Sequence, residues 1–147
     1  QTEPDEEAAP AGETEKLAVL CDALRGACEF DPDGGNTAWD ALTQGVSDSE
    51  GAAMAFEALC QAADIGCVVV SGRLDGEPHF WNIVTVDGMP YHLDVTTWGG
   101  EADIVFLQGD ETLLSIGYWW DNSQYPVCAD AYESAAETDT EPSGEAS

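Results

Sequence analysis

The dipeptide Asp87-Gly88, in the middle of PHFWNIVTVDGMPYHLDVTTW, ties the second half of this chain to a hairpin of fixed register. Asp-Gly between alternating apolar runs predicts a two-residue type I′ turn, because both central positions of that turn need positive φ. Val86 then faces Met89, and counting outward sets Trp81 opposite Asp94. His79 and Asp94 share a face as diagonal neighbours, roughly 7–8 Å apart at the backbone, a gap that polar side chains span. A carboxylate there holds one imidazole nitrogen and leaves the other free, which is the orienting half of a nucleophile–His–Asp triad.

A partner nucleophile belongs at a helix start, where backbone N–H groups and the macrodipole favour negative charge. The stretch SDSEGAAMAFEALCQAADIG supplies one, with Ala52, Phe56, Leu59, Cys60 and Ala63 at helical spacing, Gly66 as a stop and Ser49 in the first turn. Taken alone, Ser49 reads as an N-cap rather than a nucleophile, and His79 as an ordinary strand histidine; only their combination with Asp94 points to a triad.

The ordered set Gly45-Val-Ser-Asp-Ser49-Glu-Gly51-Ala-Ala-Met-Ala-Phe56, Ile65-Gly-Cys-Val-Val-Val-Ser-Gly72, Pro78-His-Phe-Trp-Asn82 and His92-Leu-Asp-Val-Thr96 resembles the bacterial transglutaminase-like family. The similarity continues through Phe106-Leu-Gln-Gly-Asp-Glu and Tyr118-Trp-Trp to Tyr125-Pro-Val-Cys128, covering residues 36–128. That resemblance implies a papain-like α+β domain, N-terminal helices packed on a mostly antiparallel sheet, with Ser49, His79 and Asp94 at the Cys-His-Asp positions. It implies acyl transfer or amide hydrolysis without a cofactor. Serine stands where the family has its nucleophilic cysteine, and Ala52 where an aromatic usually follows the family's glycine. A cysteine becomes a thiolate readily beside His⁺ and a helix N-terminus, whereas a serine hydroxyl stays protonated and needs concerted proton removal.

Two functions follow. One is a catalytically silent module that binds a protein or peptide ligand outside the cell or in its wall. The other is an acyltransferase or peptidase acting on peptide or glutamine-type amides, either as a true serine variant or with its cysteine replaced. Trp39, Trp81 and Trp98 are candidates for lining a substrate groove, against the plainer reading of core filling. His79, His92 and Asp94 form an alternative metal set, disfavoured because pairing of His92 with Ile83 separates the two histidines.

Against thirty acidic residues stand only Lys16, Arg25 and Arg73, a formal charge of −27 that repels phosphate backbones and argues against nucleic acid. No apolar run approaches the roughly 18 residues of a spanning helix, so this segment is not expected to insert into a membrane. Segments 1–13 and 133–147, rich in Glu, Asp, Pro, Ser and Ala, read as disordered acidic tails around a domain at 14–132. The acidic lead-in suits a tether, and an extracellular or cell-surface location is expected. The five cysteines Cys21, Cys28, Cys60, Cys67 and Cys128 match no zinc or Cys-x-x-Cys spacing, leave at least one thiol free, and read mostly as buried thiols. Helices are expected at 15–27 (Thr14 as N-cap), 37–44 and from Ser49, with DPDGG at 31–35 a loop. Strands are expected near 66–73, 79–86, 90–96 and 103–107, and a helical turn from Asp110.

Overall fold

In a computed structural model that describes residues 12–99, 104–129 and 131, helices lead into a five-stranded antiparallel sheet, the α+β arrangement expected. Residues 1–11 and 132–147, which hold nearly all of both expected tails, lie outside the described residues, as do 100–103 at the start of the strand expected at 103–107.

Helix α1 spans Glu13–Ala27 and buries Leu17, Cys21 and Leu24 on one stripe. Its N-cap is Gly12, not Thr14: Glu15 Oε1 reaches back to accept the Gly12 N–H at 3.1 Å, so Thr14 falls inside the first turn. Strand β1, Glu29–Gly35, pairs in parallel with the short β2, Val46–Ser47. DPDGG therefore belongs to a strand, though an irregular one. Phe30 and Gly35 both register on Ser47, and the residues between them bulge out. The helix expected at 37–44 is present from residue 38, passing into a π-type turn over Asp40–Gln44 that Gly45 closes at φ 77°.

Helix α2, Ser49–Ala62, starts where Asp48 accepts the Gly51 N–H at 3.0 Å. Three long strands follow: β3 (Cys67–Leu74), β4 (Glu77–Val86) and β5 (Met89–Leu93). Asp87 and Gly88 have φ of 53° and 81°, the type I′ pair, and Val86 faces Met89 as counted, with Ile83 on His92 and Asn82 on Leu93. Strand β5 stops at Leu93, short of 96, because the Asp94 side chain caps a 3-10 turn over Val95–Thr97. Strand β6 (Phe106–Gln108), helix α3 (Asp110–Ser115) and strand β7 (Tyr118–Trp120) complete the order β6-β5-β4-β3-β7.

The sheet is covered on both faces. Val84, Val86 and Leu93 pack with Leu17, Leu24, Phe56 and Cys60 of the two long helices, while Val70, Trp81 and Ile83 pack on the other side with Leu113, Tyr118, Trp120 and Cys128. Consequently Trp81, Asn82, Ile83 and Val84 are buried in succession, which strict alternation does not predict.

Candidate active site

Asp94 is 1% exposed, and both oxygens of its carboxylate are occupied by hydrogen bonds. Oδ2 lies 2.7 Å from His79 Nε2 and accepts the Tyr118 hydroxyl at 2.6 Å; Oδ1 accepts the Thr96 N–H at 3.0 Å and the Thr96 hydroxyl at 2.6 Å. A buried carboxylate with its lone pairs so occupied is held in one orientation. The hairpin register thus brings together the His79–Asp94 pair read from the sequence. With Nε2 on Asp94, His79 Nδ1 has no hydrogen-bond partner among the described residues.

Ser49 is the first helical residue of α2, and the N-cap is Asp48, so the capping role does not fall to Ser49. Its hydroxyl instead accepts the Phe80 N–H at 3.1 Å, across a gap of 31 residues. This donor sits where β5 has left β4, beyond the Asn82–Leu93 pair. One helical turn further on, Asn82 Nδ2 donates to Ala53 O at 3.0 Å and to Val68 O at 3.2 Å. Four helical residues rise about 6.0 Å and two strand residues about 6.6 Å, so the Ser49/Phe80 and Ala53/Asn82 bonds stay in step and fix the helix start against His79. On its other side the helix start packs closely against the β1–β2 pair, and Gly51 permits that contact. A Cβ there would lie 2.8 Å from Thr37 O and 2.9 Å from Ser47 Cβ. At the first helical position the Ser49 N–H has no acceptor within the helix.

Ser49 and His79 line one cavity of about 690 Å³ together with Phe30, Asp31, Pro32, Asp48, Leu74, Asp75, Glu77, Pro78, Phe80 and Thr96. The two side chains share this space without a hydrogen bond between them. Trp39, Trp81 and Trp98 are absent from its walls. Trp39 is 66% exposed, Trp81 is 1% exposed within the sheet core, and the Trp98 indole donates to Asp22 at 2.7 Å. Phe30 and Phe80 are the aromatic walls instead, and neither carries a sequence signal separating it from core phenylalanines.

The alternative metal set of His79, His92 and Asp94 is not assembled, because Trp81 lies between the two histidines, its ring 6.1 Å from His79 and 6.3 Å from His92. His92 is bonded elsewhere: Trp81 Nε1–H donates to its Nδ1 at 3.0 Å, and its Nε2 lies 2.7 Å from Asp110 Oδ1. Asp110 and Cys128 bring two further ligand-type atoms within 4.8 Å of this histidine. An indole N–H only donates, however, so His92 Nδ1 is the acceptor and Nε2 carries the proton, which removes the lone pair a metal would need. Burial lowers the His92 pKa from its ordinary 6.5, the Asp110 hydrogen bond and charge opposing it, so the ring stays neutral. All five cysteines are free thiols, four of them buried, and none lines the cavity. Burial, with the nearby Asp110 charge, pushes the Cys128 thiol up to about 12, which makes it inert as a nucleophile.

Two solved structures share this fold. One is a TGase, with TM-score 0.56 and 16% identity over 86% of this chain. The other is a candidate cysteine protease from Cytophaga hutchinsonii, with TM-score 0.52 and 18% identity over 76% of this chain. The chain spans only 37% and 38% of the lengths of those two proteins. No curated protein sequence matches it. The transglutaminase-like superfamily matches residues 5–98, well over half the chain and including Ser49, His79 and Asp94; with that match and this fold, the chain belongs to the transglutaminase-like superfamily.

Proposed function

We propose that this domain is a peptide-binding module of the transglutaminase-like type, catalytically silent as it stands, working outside the cell or at its surface. The observation that carries the reading is the state of Ser49: its oxygen accepts the Phe80 N–H and makes no hydrogen bond to His79, although both line one cavity. A serine nucleophile must hand its proton to the base as it attacks. The Phe80 N–H and the helix N-terminus would stabilise a thiolate at this point, but they do nothing to remove a hydroxyl proton. The site is thus built around a sulfur anion that the chain does not supply.

Ser49→Cys tests this directly. Iodoacetamide at mildly acidic pH, with the adduct located by mass spectrometry, is expected to label the introduced thiol rapidly and the buried native thiols slowly, and His79→Ala is expected to abolish the rapid phase. Absence of a His79-dependent phase would remove the active-site reading.

The second reading, an acyltransferase or peptidase on peptide or glutamine-type amides, is favoured by the intact His79–Asp94 pair, since binding alone needs no buried carboxylate. Fluorophosphonate labelling of the unaltered Ser49, lost in His79→Ala, would establish it over the silent module.

A further inference from the structure

We propose that His92 and Asp110 are positioning residues for His79, acting through the indole of Trp81. This rests on the reading of His79 as the residue at the base position of the cavity. The hydrogen bond from Nε2 to Asp94 fixes one point of the His79 ring but leaves the ring free to swing about that point. What sets its plane is packing: Trp81 lies against it at 25° and 6.1 Å between centroids, and Tyr118 meets it edge-on at 5.9 Å. Both separations fall in the range where aromatic pairs are directional.

The indole is itself held at several points. Its benzenoid edge sits against Gly72, the residue paired with His79 on β3, where a Cβ would come within 2.6 Å of the Trp81 ring. Its N–H donates to His92 Nδ1 at 3.0 Å. His92 Nε2–H donates to Asp110 Oδ1 at 2.7 Å, and Asp110 Oδ2 accepts the Cys128 N–H at 3.3 Å. The Asp110 N–H in turn donates to Cys128 O at 2.7 Å, fastening α3 to the C-terminal segment. The chain of bonds runs Cys128, Asp110, His92, Trp81 and ends on the face of His79. Each link has one donor and one acceptor, so the His92 tautomer is forced. A second His–carboxylate pair thus stands behind the first, oriented so that its free end holds an indole and not a nucleophile. Its effect at the cavity is to aim His79 Nδ1.

The chain contains two histidines, so a variant lacking His92 gives a single imidazole spectrum, that of His79. The experiment is NMR of that imidazole, its shifts and titration, in the full chain carrying His92→Phe and His92→Asn. The labelling rate of the same variants in the Ser49→Cys background is measured alongside. His92→Phe leaves the indole N–H without an acceptor; His92→Asn puts an amide oxygen near the place of Nδ1. With His92→Phe the His79 signals are expected to shift and broaden, and labelling of the introduced thiol to fall about tenfold or more, the usual cost of slight misplacement. His92→Asn is expected to restore most of both. Unchanged His79 signals and labelling in a folded His92→Phe protein would overturn the proposal, as would a His92→Asn variant no better than His92→Phe. Should His92→Phe not fold, Asp110→Ala, which leaves the His92 Nε2–H without its acceptor, reads the same chain from its far end through the labelling rate, with the same expected loss and the same overturning result. If the parent Ser49→Cys protein shows no His79-dependent labelling, the active-site reading fails, and the His79 spectra of the serine protein still decide whether His92 positions that ring.

Discussion

At Asp94 one oxygen serves both His79 and Tyr118, and this sharing makes the tyrosine part of the site. Tyr118→Phe removes a buried hydrogen bond to a charged acceptor and is expected to cost about 2 kcal/mol in denaturant unfolding. A loss under about 0.5 kcal/mol would show that the bond contributes little. Tyr118 is 24 residues from Asp94, and no spacing rule in the sequence links them. His92 gives a prediction with a definite sign. Its folded pKa is lowered, so below about 6.5 the unfolded chain takes up a proton that the folded chain does not. Stability is therefore expected to fall as the pH drops from about 6.5 toward the folded pKa, with a slope of up to about 1.4 kcal/mol per pH unit from this one group. Urea unfolding of the unaltered protein and of His92→Asn between pH 5 and 8 isolates that slope as the difference between them. Equal slopes would sink the assignment.

The join between α2 and the β1–β2 pair rests on Gly51. Alanine is the better helix former than glycine, by up to about 1 kcal/mol in a helix interior and less in the first turn where Gly51 lies, which taken alone predicts that Gly51→Ala stabilises. The new Cβ would meet Thr37 O at 2.8 Å and Gly35 O at 3.1 Å, backbone atoms that cannot swing aside, and overpacking of this kind costs about 1–3 kcal/mol. Net destabilisation of about 1–2 kcal/mol is expected in thermal or urea unfolding. A gain in stability would mean that the helix start is looser than drawn. The elements that the sequence made legible are those with a strong local signal: the Asp87-Gly88 hairpin, α1 with its apolar stripe, and α2 with its stop. Strand β1 reads as a loop in the sequence because its Pro32, Gly34 and Gly35 carry turn chemistry, and only pairing with β2 makes it a strand. Strand β7 is three residues long and owes its state to the Gly72–Trp120 pairing, which no local pattern announces.

Thirty acidic residues against three basic ones leave this molecule repelling itself. Two of the three cations are spent on backbone and ring contacts: Arg25 Nε donates to Trp98 O, with its guanidinium over the Phe30 ring, and Arg73 donates to Gly76 O. Among the described residues no Lys or Arg is paired with a carboxylate; the short nitrogen–carboxylate contacts are the two His–Asp pairs, of which His92 is neutral. Screening should therefore stabilise the fold. Raising NaCl from about 0.02 M to 1 M shortens the Debye length to about 3 Å, and the Tm is expected to rise by about 5 °C or more. A flat or falling Tm would show that self-repulsion is not a leading cost.

The sequence by itself determined the α+β class, the hairpin register that sets His79 beside Asp94, and the placing of Ser49 at a helix start. Each is written in local chemistry: positive-φ turn residues, strand alternation and helical spacing. Only the tertiary structure decided what those residues touch. It gave Ser49 to the Phe80 N–H, Tyr118 to Asp94 and His92 to Asp110, and it buried Trp81 in the core while lining the cavity with Phe30 and Phe80. These contacts join segments whose separation along the chain carries no periodic signal, and a side chain's partner is fixed by which backbones the packed core brings within about 3 Å of one another.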